Sequence, residues 1–196
     1  DTIDGFHASD TPTDGSLHPW YGGWVKPNVT WTYASASTFT VSGDATTIYT
    51  KGTRLKWTQT TVKYGVVVAS SHSGGTTTVT IAVNTDYTIA NATISANYFS
   101  YEANPQGYPD WFNYTPTYSA SDSMTYTSVT TTFARFSIIG KTLSYTLYAT
   151  GTTGGSASNA CIATLPVSMA SNMAYQYSAS CFTKDSGDRA GYVLAN

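Results

Sequence analysis

Charge is the scarcest feature of this chain. Only 10% of its 196 residues are Asp, Glu, Lys or Arg, against about 25% in ordinary soluble domains. The 9 basic and 11 acidic residues nearly cancel. Because binding a nucleic acid depends on clustered Lys and Arg that neutralise phosphates, this composition argues against a nucleic-acid partner.

Long apolar runs and an initiator methionine are also missing. No segment approaches the roughly 20 apolar residues that a membrane span requires, so no span is predicted. The sequence starts at Asp1 and shows no signal peptide. We therefore expect a mature product, a processed fragment or part of a longer chain.

Cysteine is limited to Cys161 and Cys181, which flank a segment of hairpin size. Two interpretations stay open for this pair: a disulfide in an oxidising compartment, or two buried or half-buried thiols. Neither cysteine belongs to a CxxC motif, so the sequence disfavours a zinc or redox site.

Residues that carry catalysis or hold metals are sparse as well. The only glutamate is Glu102, and the histidines His7, His18 and His72 are widely separated. The acidic residues that a glycosidase would need look like turn residues instead; these are Asp44, Asp86, Glu102 and Asp110. No GxSxG elbow is present. We predict no catalytic residue, no metal site and no cofactor, and therefore a protein that is not an enzyme.

Hydroxyl-bearing and aromatic residues are abundant, with 16 Tyr and 5 Trp beside many Thr and Ser. Thr and the aromatics suit pleated strands. Residues 76–83 alternate strictly, with Val79, Ile81 and Val83 on one face, and many similar short segments recur every 8–12 residues or so. No segment keeps a helical period beyond a turn or two. The sequence thus predicts an all-β fold of two small antiparallel β-sandwich or Greek-key barrel domains in series.

Three parts of the chain are distinguished by composition. Residues 1–20 contain Asp-Gly twice and two prolines, which predicts an extended arm or connector. Such an arm has little core of its own and needs another surface, such as that of a neighbouring subunit, to become ordered. Residues 21–110 form the first predicted β-domain and residues 111–196 the second, with a boundary near residues 105–110.

Aromatic residues near glycines and near this boundary are the candidate functional residues. They are Trp20, Tyr21, Trp24, Tyr98, Tyr101, Tyr108, Trp111 and Tyr114. One interpretation is that they pack the domain junction or a subunit interface, since Tyr and Trp dominate interface energetics. The other is that their rings stack on sugars.

Two parts of the chain resemble structural proteins of tailed phages. The N-terminal DTIDGFHAS followed by Thr11-Pro12 is similar to the "LDGxHASxTP" connector of tail fibres and related virion proteins. The segments WTYASASTFTVSGDATTIYTKGTRLKWTQTTVKYGVVV, TTTVTI and DYTIANATIS…NPQGYPDWFNY resemble a small β-domain of the same proteins. FARFSIIGKTLSYTLYATGTTGGSASNACIATLP resembles a second domain that often follows it.

This resemblance implies a tail-fibre or receptor-binding head, or a capsid decoration protein, on the virion surface. It implies a homotrimer, contacts with other virion proteins through residues 1–20, and binding to a host glycan or protein receptor. One alternative is a secreted or cell-surface filament subunit with glycans on the sequons at Asn28, Asn91 and Asn113. A carbohydrate-binding module is the other alternative.

Overall fold

The computed structural model describes residues 22–120, 123–156, 161–167, 181–184 and 188–191. The predicted all-β class is confirmed, and every pairing between named strands is antiparallel. The chain divides into two compact units, the first ending at Pro166 and the second beginning at Val167. The predicted arm, residues 1–20, lies outside the described residues, and the boundary near residue 110 stays a prediction. Nowhere in the described ranges is there a helix long and apolar enough to cross a bilayer.

A six-stranded sheet forms the larger part of the first unit. Its strands are β1 (Thr32–Ser35), β2 (Thr38–Ser42), β3 (Arg54–Thr58), β4 (Val62–Ser73), β5 (Thr76–Ile81) and β6 (Ser95–Ser100), in the order β1-β2-β5-β4-β3-β6. The first part of β4 pairs with β3 and its second part with β5. Because this one strand belongs to both halves, the sheet curls around a single core.

The core is built from the apolar faces of these strands. Val79 and Ile81 alternate with threonines on β5 and are at most 1% exposed, a burial that contributes about 1.5–3 kcal/mol for each side chain. Trp31 stacks on Phe39 with ring centroids 4.1 Å apart. Its indole N–H donates to the Tyr49 hydroxyl over 2.8 Å, so the polar end of this buried ring is satisfied.

A second sheet contains a long hairpin. Its strands are β7 (Phe112–Asn113), β9 (Met124–Ile139) and β10 (Thr142–Gly155), in the order β10-β9-β7, and β8 (Tyr118–Ala120) pairs separately with β11 (Cys161–Ala163). Ile139 pairs with Thr142, which leaves the two-residue turn Gly140-Lys141 that the sequence predicts. Gly140 takes a φ of 60°, the left-handed conformation that tight hairpin turns require.

The second unit is described as the hairpin of β12 (Cys181–Lys184) and β13 (Asp188–Gly191). The side chains of Cys161 and Cys181 lie outside the described part. Both interpretations of this pair, a disulfide or two thiols, therefore stay predictions.

Two polar segments that composition predicts to be loops are largely strand. Residues 70–75 are polar and Gly-rich, which predicts a hairpin loop; the hairpin is present, but β4 extends to Ser73, with His72 paired to Thr77, so only Gly74-Gly75 form the turn. The Gly, Ser and Thr content of residues 150–159 predicts a loop, but β10 extends to Gly155. In both places Ser and Thr, which read as loop residues, support a strand because each has a partner across the ladder.

Candidate functional site

A chain of ring contacts connects the first sheet to the hairpin. We call it the aromatic junction, and it consists of Trp24, Tyr64, Tyr87, Tyr108, Phe112 and Phe136. Trp24 and Tyr108 have centroids 6.2 Å apart, and Tyr108 and Phe112 are separated by 5.6 Å. Phe112 on β7 then stacks on Phe136 of β9, again at 5.6 Å. These distances are typical of packed aromatic pairs, so the junction holds the two sheets together.

A buried arginine organises one side of the aromatic junction. Arg54 is only 2% exposed, and its guanidinium lies 5.2 Å from the centroid of the Tyr108 ring. It donates to the carbonyls of Gly52 at 2.6 Å and Ala103 at 3.3 Å. Burial raises the pKa of Tyr108 well above its usual range, although the Arg54 charge opposes this shift. Arg54 thus ties the turn before β3 to the segment that follows β6.

Three of the predicted aromatic residues are packing residues. Trp24 is 4% exposed and donates from its indole nitrogen to the Gln106 carbonyl over 2.8 Å. The Tyr108 hydroxyl donates to the Gly65 carbonyl at 3.1 Å. Tyr114 is 7% exposed and packs edge-on against Phe136. Trp24 and Tyr114 are too deeply buried to present a ring face to a sugar.

Two more of the predicted residues lie outside the aromatic junction. Tyr98 is half-buried, and the Lys56 ammonium lies 4.6 Å from its ring centroid and 4.6 Å from that of Trp24. Burial between these rings lowers the pKa of Lys56. Tyr101 is 64% exposed, but its hydroxyl donates to the Ile48 carbonyl at 3.0 Å. Trp20 and Tyr21 lie outside the described residues.

Trp111 alone among the described candidates belongs to an exposed group of rings. We call this group the outward strip: Trp111, Arg135, Phe133 and Tyr148. Trp111 is 40% exposed, Phe133 is 42% exposed and Tyr148 is 51% exposed. The Arg135 guanidinium lies 5.1 Å from the Trp111 centroid and 5.7 Å from that of Phe133. Phe133 and Tyr148 are 5.8 Å apart.

Strand geometry explains why these four side chains meet. Phe133 and Arg135 are two residues apart on β9 and therefore point to the same face. Tyr148 is the cross-strand partner of Phe133 on β10. Trp111 lies two residues before Asn113, which pairs with Arg135. Ala134 and Phe136, on the opposite face of β9, are buried.

The open edge of the hairpin sheet is unusual in composition. Within the described residues, β10 pairs only with β9. Its 14 residues, TLSYTLYATGTTGG, contain no charged side chain and no proline. Natural edge strands normally carry lysines or prolines that prevent pairing with other chains. This edge lacks those features.

The four acidic residues considered for catalysis have structural partners or lie at the surface. Asp86 accepts hydrogen bonds from the backbone and side-chain nitrogens of Asn113, at 2.6 Å and 2.9 Å. Hydrogen bonds from the hydroxyl and backbone of Thr46 lower the pKa of Asp44. Glu102 and Asp110 are exposed. Across the described ranges, no three His, Cys, Asp or Glu side chains come together as metal ligands would.

All three sequon asparagines are exposed. The side-chain nitrogen of Asn113, to which a glycan would attach, donates to Asp86. Asn28 and Asn91 are the sequons at which glycosylation would disturb no such bond.

The chain was compared with protein-family models, with curated proteins and with solved structures, and nothing matched in any of the three. The resemblance to phage virion proteins therefore stays an expectation from the sequence motifs.

Sequence reasoning missed most of the outward strip, namely Phe133, Arg135 and Tyr148. Alternation in the segment MTYTSVTTTFARF puts Phe133 and Arg135 on one face, and that signal was visible in the sequence. The pairing of Phe133 with Tyr148 also follows in regular register from the Gly140-Lys141 turn, because both irregularities of the hairpin lie farther from the turn than this pair.

Proposed function

We propose that this chain is a non-enzymatic structural component of a tailed-phage virion. It acts as a tail-fibre or receptor-binding head, or as a capsid decoration protein, and displays its β-domains on the particle surface. Copies of the chain assemble as a homotrimer, and residues 1–20 contact other virion proteins. The observation that carries this proposal is the long, uncharged edge strand β10.

An edge strand of this kind is a site for assembly. Fourteen residues extend over about 48 Å at the usual rise of an antiparallel strand. Much of the edge-side backbone of β10 has no partner within the described chain, and such a row of donors and acceptors pairs readily with another strand. Because β10 carries no charge, a strand from an identical subunit meets no like charge there.

The hairpin also needs support on its faces. Near its open end, Thr125, Thr127, Thr130 and Thr150 are exposed and Tyr126 is half-buried. A long hairpin with little buried surface is only marginally stable in water. A neighbouring subunit that pairs with β10 and covers part of this region supplies the missing burial.

Light scattering after size-exclusion chromatography tests the assembly. We expect the mass of a trimer for the full chain, and a lower mass for Thr150→Lys, which places a charge in the open edge strand. Thr130→Lys is the matched control, because Thr130 is also exposed and is the cross-strand partner of Thr150 on β9, outside the open edge strand β10. A monomer at every concentration, or equal loss of assembly in both variants, refutes the role of β10.

Electron microscopy of the native particle tests the virion assignment. An antibody against the chain should label a tail or a capsid surface. Labelling of free filaments, together with glycan mass on Asn28 or Asn91, would replace this proposal with the filament-subunit alternative.

A further inference from the structure

The outward strip combines exposed rings with a guanidinium that has no acidic partner among the residues that the structure describes. Arg135 makes ring contacts with Trp111 and Phe133, and no carboxylate of the described chain pairs with it. Its five N–H donors match a carboxylate geometrically. Aromatic contacts on both sides restrict the side chain, so less conformational entropy is lost when it binds a ligand.

The shape of the strip is open and shallow. Its successive groups are separated by 5.1, 5.7 and 5.8 Å along one sheet face, a spacing similar to the repeat of pyranose rings in an extended saccharide. Thr146 is the cross-strand partner of Arg135 and supplies a hydroxyl beside it. Rings that alternate with hydrogen-bonding groups suit a ligand with apolar ring faces and polar edges.

We infer that the outward strip binds an acidic saccharide, with a sugar carboxylate on Arg135 and neighbouring sugar rings on Trp111, Phe133 and Tyr148. The single cation favours isolated carboxylates over the dense phosphates of a nucleic acid, which require several basic side chains. This inference goes beyond the assembly role of β10 and does not depend on it.

Isothermal titration calorimetry with defined oligosaccharides tests this site. The probes are hexagalacturonate, which carries a carboxylate on each sugar, and maltohexaose, which is neutral. We expect hexagalacturonate to bind at least about 10-fold more tightly, because hydrogen bonds to a charged group are stronger than neutral ones. Raising the salt concentration should weaken this binding through screening.

Two variants assign the binding to the strip. Arg135→Gln removes the charge but keeps a polar, hydrogen-bonding side chain, and it should lower the affinity for hexagalacturonate about 10-fold or more. Trp111→Ala removes a stacking surface and should weaken both probes. Tyr101→Ala is the control, because Tyr101 is a similarly exposed aromatic residue outside the strip, and it should leave binding unchanged. Thermal unfolding of each variant verifies that it is folded.

Several results would overturn the inference: no binding of hexagalacturonate, equal binding of maltohexaose, or an equal loss of affinity in Tyr101→Ala. Equally tight binding of a single-stranded oligonucleotide would identify a general polyanion surface and would also refute it. Neither Arg135 nor Trp111 lies on β10, so failure of this test leaves the assembly proposal standing.

Discussion

Substitution of Gly52 provides the sharpest test of how the hairpin docks on the first sheet. Gly52 has a φ of 91°, and a Cβ added there would lie 2.5 Å from the carbonyl oxygen of Gly140, at the hairpin turn. In Gly52→Ala the left-handed conformation costs about 1 kcal/mol. Because the obstructing atom belongs to the backbone, the turn must also shift, which costs about 1–3 kcal/mol more. We expect a total loss of about 2–4 kcal/mol in the free energy of unfolding.

Gly43→Ala is the matched control for the conformational term. Gly43 has a φ of 79°, and a Cβ added there would have no neighbour within 4 Å. The Gly43 N–H donates to the Gly75 carbonyl over 2.8 Å, and the Gly52 N–H donates to the Val67 carbonyl over 2.9 Å. Alanine keeps both donors. Gly43→Ala should therefore lose only about 1 kcal/mol.

Urea unfolding followed by tryptophan fluorescence measures both variants at the same protein concentration. Trp31 and Trp57 are buried in the core of the first sheet and report its unfolding. Hydrogen exchange on β9 and β10 should also become faster in Gly52→Ala, because the hairpin turn loses its docking surface. Equal destabilisation by the two substitutions, or unchanged exchange in the hairpin, would refute this docking contact.

Three further predictions concern the core, the backbone and the pH dependence. Val79→Asp should prevent folding, with a loss of about 4 kcal/mol or more, whereas Val83→Asp, at a position 61% exposed, should leave the circular dichroism spectrum unchanged. Ala96→Gly should stabilise the protein by about 0.5 kcal/mol in urea unfolding, because Ala96 has a φ of 44° and glycine adopts that conformation without strain; a lower urea midpoint contradicts this. Burial raises the pKa of Tyr49 from 10.0 to about 12. The folded state then holds a proton that the unfolded state releases, so stability should fall as the pH rises from 10 through 12. A urea midpoint that stays constant over that range would contradict the burial of Tyr49.

Much of the first sheet could be predicted from the sequence. Strict alternation predicts a strand over residues 76–83, and β5 forms there but ends at Ile81, so Val83 is 61% exposed and does not share the buried face of Val79 and Ile81. The break in alternation at residues 34–37 predicts two short strands, which are β1 and β2. The failures lie where strands are rich in Ser and Thr. There the residue types fit a loop as well as a strand, and the deciding factor is a cross-strand partner, such as Ser128 opposite Thr152.

The candidate site was harder to predict. The sequence identified a group of aromatic residues near residue 110, but it could not separate packing residues from exposed ones. Trp24 and Trp111 both fitted either a packed junction or a sugar-stacking surface, yet Trp24 is buried beneath Lys56 and beside Tyr108, whereas Trp111 is 40% exposed. Burial depends on what the tertiary fold brings over a ring, and local sequence carries little information about it.

Composition and short-range alternation alone determined that this chain is an all-β protein with few charged residues, because strand period and residue chemistry are local properties. The tertiary structure decided the rest. It placed Arg54 inside the aromatic junction, left β10 without a second partner in the described chain, and brought Trp111 beside Arg135. These arrangements depend on contacts between residues distant in sequence, whose register is fixed only when the sheets pack.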